Sequence, residues 1–130
     1  MTHYQIKSFV RHTLGCRCRD EVFEKVYCEE DVHITPQLLL RSRINIGDKL
    51  LIYIADAPDI EFVRLNLPTL LSSGTRQRDS KEFNRFRLVL LSPQAPIVSK
   101  IATSMFCALK TDEKVHLHVI SAKDFPTHKG

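Results

Sequence analysis

Two thiols stand one residue apart in the segment Gly15-Cys16-Arg17-Cys18, and arginines flank them at 11, 17 and 19. Thiolate is the form of cysteine that attacks disulfides and binds metals. A helix N-terminus and neighbouring cations both favour it. Cys16 and Cys18 are therefore a candidate redox or metal-binding turn, with a metal ion or an iron–sulfur cluster as the cofactor they would hold. A further ligand is hard to find. Cys28, at the far end of a nine-residue helix, would stand about 12–14 Å from the turn. His12, His33, His116 and His118 are the available nitrogen ligands. Zinc sites ordinarily show two paired-ligand knuckles, and this chain shows half of one. The competing reading is that both cysteines act as small residues filling a corner between two helices.

His116 and His118 alternate along one apolar segment, so on a strand their imidazoles share a face, about 6.5–7 Å apart. That spacing suits a metal ion and an exposed sheet edge equally well. Arginines make a third pattern. Arg41 and Arg43 share one face of a predicted strand, as do Arg85 and Arg87 on another. Between them lies a polar stretch, 75–84, carrying Arg76, Arg78 and Lys81. Phe83 and Phe86 interleave with these charges, and aromatic stacking beside phosphate contacts is how single-stranded nucleic acid is commonly held. Asp79 and Glu82 dilute the charge, and Asp48 and Asp56 are available to pair with Arg43 and Arg87.

A fourth candidate follows from topology. In open α/β sheets, ligands bind beyond the C-terminal ends of parallel strands. Asp56, Asp59, Ser92 and Lys123 fall at such ends and would converge on a small polar ligand. Those turns hold no glycine, so backbone cannot approach a pyrophosphate closely, which counts against a P-loop or a dinucleotide fold. Gly-X-Ser-X-Gly and His-Glu-X-X-His signatures are absent too. No catalytic signature remains.

The elements that must position these residues are legible from periodicity. Ile6, Phe9, Val10 and Leu14 recur at helical spacing and Gly15 stops that helix. A second helix is predicted from Asp20 to Cys28, making an N-terminal helical pair. Ser42 to Ile46 and Lys49 to Ala55 read as strands joined by Gly47-Asp48. Leu50 to Ile54 is apolar on both faces, as in a central strand. Asp56-Ala57-Pro58 opens a helix that Pro68 must kink and Gly74 ends. Strand Phe86 to Leu91, a helix carrying Ile97 to Leu109, and strand Lys114 to Ile120 complete the chain. The class is α/β: about four strands in a mixed sheet, mostly parallel with one antiparallel strand from the hairpin, and helices on both faces.

At 130 residues, with 43% hydrophobic and 26% charged residues, the chain is sized and composed as a single α/β domain spanning 1–130. It lacks an apolar run long enough for a membrane span and an apolar leader core, so cytoplasmic localisation and reduced thiols are expected. A net charge of +4 permits an anionic partner without requiring one. The leading functional expectation is a thiol- or metal-based redox or accessory protein using the Cys16-Arg17-Cys18 turn. The alternatives are a non-enzymatic module binding an anion or nucleic acid through the arginine strands and the 75–84 stretch, and a protein-interaction module.

Overall fold

The computed structural model describes residues 1–16 and 19–126. They form one five-stranded sheet in which every strand neighbours its sequence successors, in the order β1-β2-β3-β4-β5. The strands are β1 (Val26–Thr35), β2 (Leu38–Ile46), β3 (Leu50–Asp56), β4 (Arg85–Ser92) and β5 (Val115–Ser121). The first three make an antiparallel meander, and β4 and β5 then add parallel to β3. Strand β2 alone runs against the rest, so the mixed, mostly parallel sheet with helices on both faces is the fold observed.

Helices α2 (Ile60–Ser80) and α3 (Ala95–Ala108) make the two parallel crossovers. Both pack on one face, where Val63, Leu67, Leu70, Val98 and Ala102 meet Leu51, Tyr53, Phe86, Leu88 and Leu90. The opposite face is covered by the N-terminal segment, α1 (His3–Ser8) continued by a π-helical turn (Phe9–Thr13). There Ile6, Phe9, Val10 and Leu14, with Phe23 and Phe125, cover Ile44, Ile46, Leu50, Ile52, Ile54, Val89 and Leu91. Both faces of β3 and β4 are thus dry, which is why these strands read as continuous apolar runs rather than as alternation.

Two segments depart from expectation. The predicted helix over Asp20–Cys28 is a short 3-10 helix, Asp20–Glu24, followed by strand β1. Val22, Phe23, Val26 and Tyr27 mimic helical spacing. Nevertheless Val26 to Ile46 begins a register with β2 that runs eight pairs, and nonlocal pairing overrides the local pattern. With β1 the sheet has five strands.

The polar stretch 75–84 is helical as far as Ser80 rather than a loop throughout. Helix α2 continues through Pro68 and Gly74 to Ser80. Gly74 serves packing rather than termination, since a Cβ there would lie 2.0 Å from the Phe86 ring. The last turns are tethered from below: the Tyr53 hydroxyl donates to Gln77 Oε1 at 2.6 Å and lies 3.3 Å from Ser73 Oγ.

The hairpin turn forms where expected. Gly47 and Asp48 both take positive φ, +60° and +57°. Asn45 and Asp48 lock the turn with two 2.8 Å hydrogen bonds. Glycine is required at 47 for a second reason. A Cβ would lie 2.5 Å from the Val22 carbonyl, because the 3-10 helix rests on this turn.

Candidate functional site

The N-terminal segment ends directly above the start of β4. Thr2 and Gln5 form a reciprocal cap on α1. His3 Nε2 donates to the Phe23 carbonyl at 2.6 Å, joining α1 to the 3-10 helix. Lys7 and Arg11 both reach Asp20 and lie over the Phe23 ring. The π-helical turn closes with Leu14 N–H donating to the Phe9 carbonyl and Cys16 N–H to the Val10 carbonyl, each at 3.0 Å. Gly15 takes φ +71° between them, which turns the chain out of the helix.

Beneath this turn is a cavity of about 490 Å³ lined by Gly15, Cys16, Val22, Lys49, Leu50, Asn84, Arg85 and Arg87. Its floor is fixed by the β3–β4 junction. The Asn84 and Arg85 amides both donate to the Lys49 carbonyl, at 2.8 and 3.1 Å. Alternation along β4 puts Arg85 and Arg87 on the face that the N-terminal segment covers, and β5 sets His116 and His118 beside them.

Among the described residues, the polar groups here form a cluster without an acid. Arg87 Nη1 donates to the Leu14 carbonyl at 3.2 Å and to His118 Nε2 at 2.8 Å. Arg85 Nη1 lies 3.4 Å from His116 Nε2. Arginine has only donors, so the imidazole nitrogen facing it must be the acceptor and the ring neutral. Burial, then the Arg87 charge and the His116 neighbour, push His118 down to about 4. Burial, Arg87 and Arg85 lower His116 as well. Burial and the Arg85 charge also disfavour protonated Arg87, although a guanidinium remains charged at any ordinary pH. Arg87 Nε is buried and makes no hydrogen bond among the described residues.

The other arginine candidates are compensated. Arg41 forms a bidentate pair with Asp56, at 2.9 and 3.1 Å, and lies over the Phe125 ring. Arg43 pairs with Glu29. Arg78 is buried at the end of α2 and clamped by Asp79 and Asp112. Arg76 is exposed on α2. The two arginine pairs expected on strand faces are therefore separated. Arg43 opens toward Gln77 and Lys81 of the α2 side, and only Arg85 and Arg87 accompany the cysteine turn.

The strand-end candidates have separate structural partners. Asp56 is held by Arg41. Asp59, rather than Asp56, caps α2, accepting from the Phe62 amide at 3.0 Å. Ser92 is buried and accepts from the Gln94 amide, which starts the turn into α3. Lys123 is exposed in a short 3-10 helix, Ala122–Asp124. The acid-free cavity lies at the opposite, N-terminal ends of β3 and β4.

Cys16 is disulfide-bonded, against the expectation of a reduced thiol. Arg17 and Cys18 lie outside the described residues. Cys28 is a free thiol on β1, pushed up to about 11 by burial and by Glu30, whose carboxylate it meets at 3.4 Å. No grouping of three or more His, Cys, Asp or Glu residues among the described residues could hold a metal ion. No helix there is long and apolar enough to cross a membrane.

Sequence reasoning reached Cys16, Arg85, Arg87, His116 and His118 but missed Lys49 and Asn84. Their only local signal is a position just before an apolar strand. Comparison with known proteins gives no match to any family model, curated protein or solved structure.

Proposed function

We propose that this protein is a binding module for a small anionic ligand, held between the Gly15-Cys16 turn and the N-terminal ends of β3 and β4. The observation that carries this reading is the charge imbalance around Arg87. Its guanidinium is partly buried, and among the described residues its Nε has no hydrogen-bond partner and Arg85 and Lys49 beside it make no ion pair. A buried cation without a counter-charge is costly, and an oxyanion bound at this wall would offset that cost. Phosphate, sulfonate and carboxylate groups all match the planar donor fork of arginine.

The size and placement of the cavity favour a small molecule over a nucleic-acid strand. A volume of about 490 Å³ falls in the usual range for small-ligand sites. An extended polyanion would need a continuous basic track, whereas Arg41, Arg43 and Arg78 are already paired with carboxylates.

Calorimetric titration with sulfate tests the reading, with a single-stranded oligonucleotide as comparison. A charge-assisted hydrogen bond contributes about 1.5–3 kcal/mol. Arg87→Gln should accordingly weaken sulfate binding by about ten-fold or more, and the exposed Lys49→Gln should weaken it less. Sulfate binding that is absent at low ionic strength, or unchanged in both variants, refutes the reading.

A further inference from the structure

Strand β5 ends the sheet among the described residues, with β4 as its one neighbour. The Phe86 amide donates to the Lys114 carbonyl at 3.0 Å, which fixes the phase of the β4–β5 ladder. In a parallel pair, residues that bond to the neighbouring strand alternate with residues whose N–H and C=O point away from it. Lys114, His116, His118 and Ile120 therefore bond to β4, while Val115, Leu117, Val119 and Ser121 present their backbone outward. The Val115 amide is taken by the Asp112 carbonyl at 3.2 Å. Apart from that bond, the outward groups have no backbone partner among the described residues.

An unguarded edge is a template for another strand. The two edges of this sheet differ in that respect. Strand β1 carries Glu29, Glu30 and Asp31, with Asp31 at φ +53° and a register shift between His33 and Thr35. Strand β5 holds no lysine, no acid and no proline, and its register with β4 is unbroken from Val115 to Ser121.

The β5 edge is also complementary to itself. Val115-His116-Leu117-His118-Val119 reads the same in both directions, and its two valines and its leucine are the residues whose backbone points outward. We propose that two copies of this chain pair antiparallel along β5, about a two-fold axis at Leu117, joining their sheets into one. Val115 then faces Val119, His116 faces His118 and Leu117 faces itself, so every contact occurs twice with the same chemistry. The outward N–H and C=O groups of the facing valines and leucines meet as hydrogen-bonded pairs, as an antiparallel ladder requires. Glu113 and Lys114 fall opposite Ser121 and Ile120, so no like charges meet. Burial, and after it the Arg87 charge, lower both imidazoles, so the facing histidines are neutral near neutrality.

The experiment uses the full chain carrying Cys107→Ser, so that this exposed thiol cannot link two copies. Sedimentation equilibrium should give twice the 15.0 kDa chain mass, with dissociation on dilution. Hydrogen exchange followed by NMR should find the Leu117 and Val119 amides protected in the dimer and released on dilution. The His116 and His118 amides, bonded to β4, should stay protected throughout. Val119→Pro removes an amide that β4 does not use, once in each copy, and should weaken association by about ten-fold or more. Circular dichroism checks the fold of that variant, and where it is lost the exchange of the Leu117 and Val119 amides decides instead. A chain that keeps a mass of 15.0 kDa at every concentration overturns the proposal. So does a dimer whose Leu117 and Val119 amides exchange freely, or one that a folded Val119→Pro leaves equally tight.

Discussion

Arg87 Nη1 donates to His118 Nε2 across 2.8 Å, joining β4 to β5 without a carboxylate. The bond exists only while the imidazole is neutral, since a protonated ring offers no acceptor to a guanidinium. Protonating His118 therefore both breaks the contact and places two cations side by side.

The pH dependence has a definite sign. His118 is lowered to about 4 in the folded chain against an ordinary value of 6.5, so between those values the unfolded chain binds more protons. Stability from this group is complete above about 6.5 and is lost as pH falls toward 4. His118→Gln, which cannot be protonated, should flatten that part of the stability curve relative to the parent. Imidazole resonances followed by NMR should show His118 titrating near 4. A midpoint near 6.5 would contradict the geometry.

Anion binding should shift the same equilibrium. Burial, and after it the charge of Arg87, hold His116 and His118 neutral, and a negative charge beside Arg87 offsets the second of these. Sulfate keeps its charge over this range, so its affinity should rise as pH falls from 7 toward 5, with proton uptake on binding. Calorimetry in buffers of different ionisation enthalpy measures that uptake directly. Zero uptake, with affinity flat in pH, would remove the histidines from the site.

Arg43 supplies the contrast. It pairs with Glu29 on the opposite face of the sheet, and both side chains are partly exposed. Arg43→Gln should cost no more than about 1 kcal/mol in stability and leave sulfate affinity unaltered. Loss of binding in this variant would place the anion on the α2 side instead.

Gly74 offers a test of the frame that sets β4. Gly74→Ala drives a methyl group into the Phe86 ring, and overpacking of this kind costs about 1–3 kcal/mol. Urea denaturation should show the loss. An unchanged midpoint would mean that α2 does not lie against β4 at this point.

The cysteines should differ in reactivity. Cys28 is half-buried beside Glu30 and raised to about 11, so little of it is thiolate near neutrality. Cys107 is exposed on α3. Alkylation with site assignment should find Cys107 modified well before Cys28, and the reverse order would contradict the packing of β1.

Strands β3, β4 and β5 are readable from the chain because burial on both faces, or on one, leaves an apolar signature that no loop imitates. The turn at Gly47-Asp48 is readable because its backbone demands those residues. Strand β1 is not. It is an edge strand carrying Glu29, Glu30 and Asp31, and what makes it a strand is pairing with β2, which no local window contains. The end of α2 is misread for a related reason: Gly74 signals a stop, yet the residue that explains it, Phe86, is on another element.

The site shows the same division. Arg85, Arg87 and Cys16 are conspicuous as residue types, and the pairing of histidines at 116 and 118 follows from strand alternation. Grouping them depends on where the N-terminal segment lands, and that is set by Phe9, Val10 and Leu14 burying against Ile52, Val89 and their neighbours. Charge alone groups Arg41 and Arg43 with Arg85 and Arg87 as one candidate anion site. The carboxylate partners of Arg41 and Arg43, Asp56 and Glu29, emerge only once the sheet is assembled.

The most direct test of the anionic site observes Arg87 Nε itself, which has no hydrogen-bond partner among the described residues. In a sulfate titration followed by arginine side-chain ¹⁵N NMR, the Nε–Hε correlations of Arg87 and Arg85 should shift saturably along one binding curve, while those of Arg41, Arg43 and Arg78 stay in place. A stationary Arg87 signal, or shifts spread over all arginines in proportion to their exposure, would contradict an anion site at this cavity.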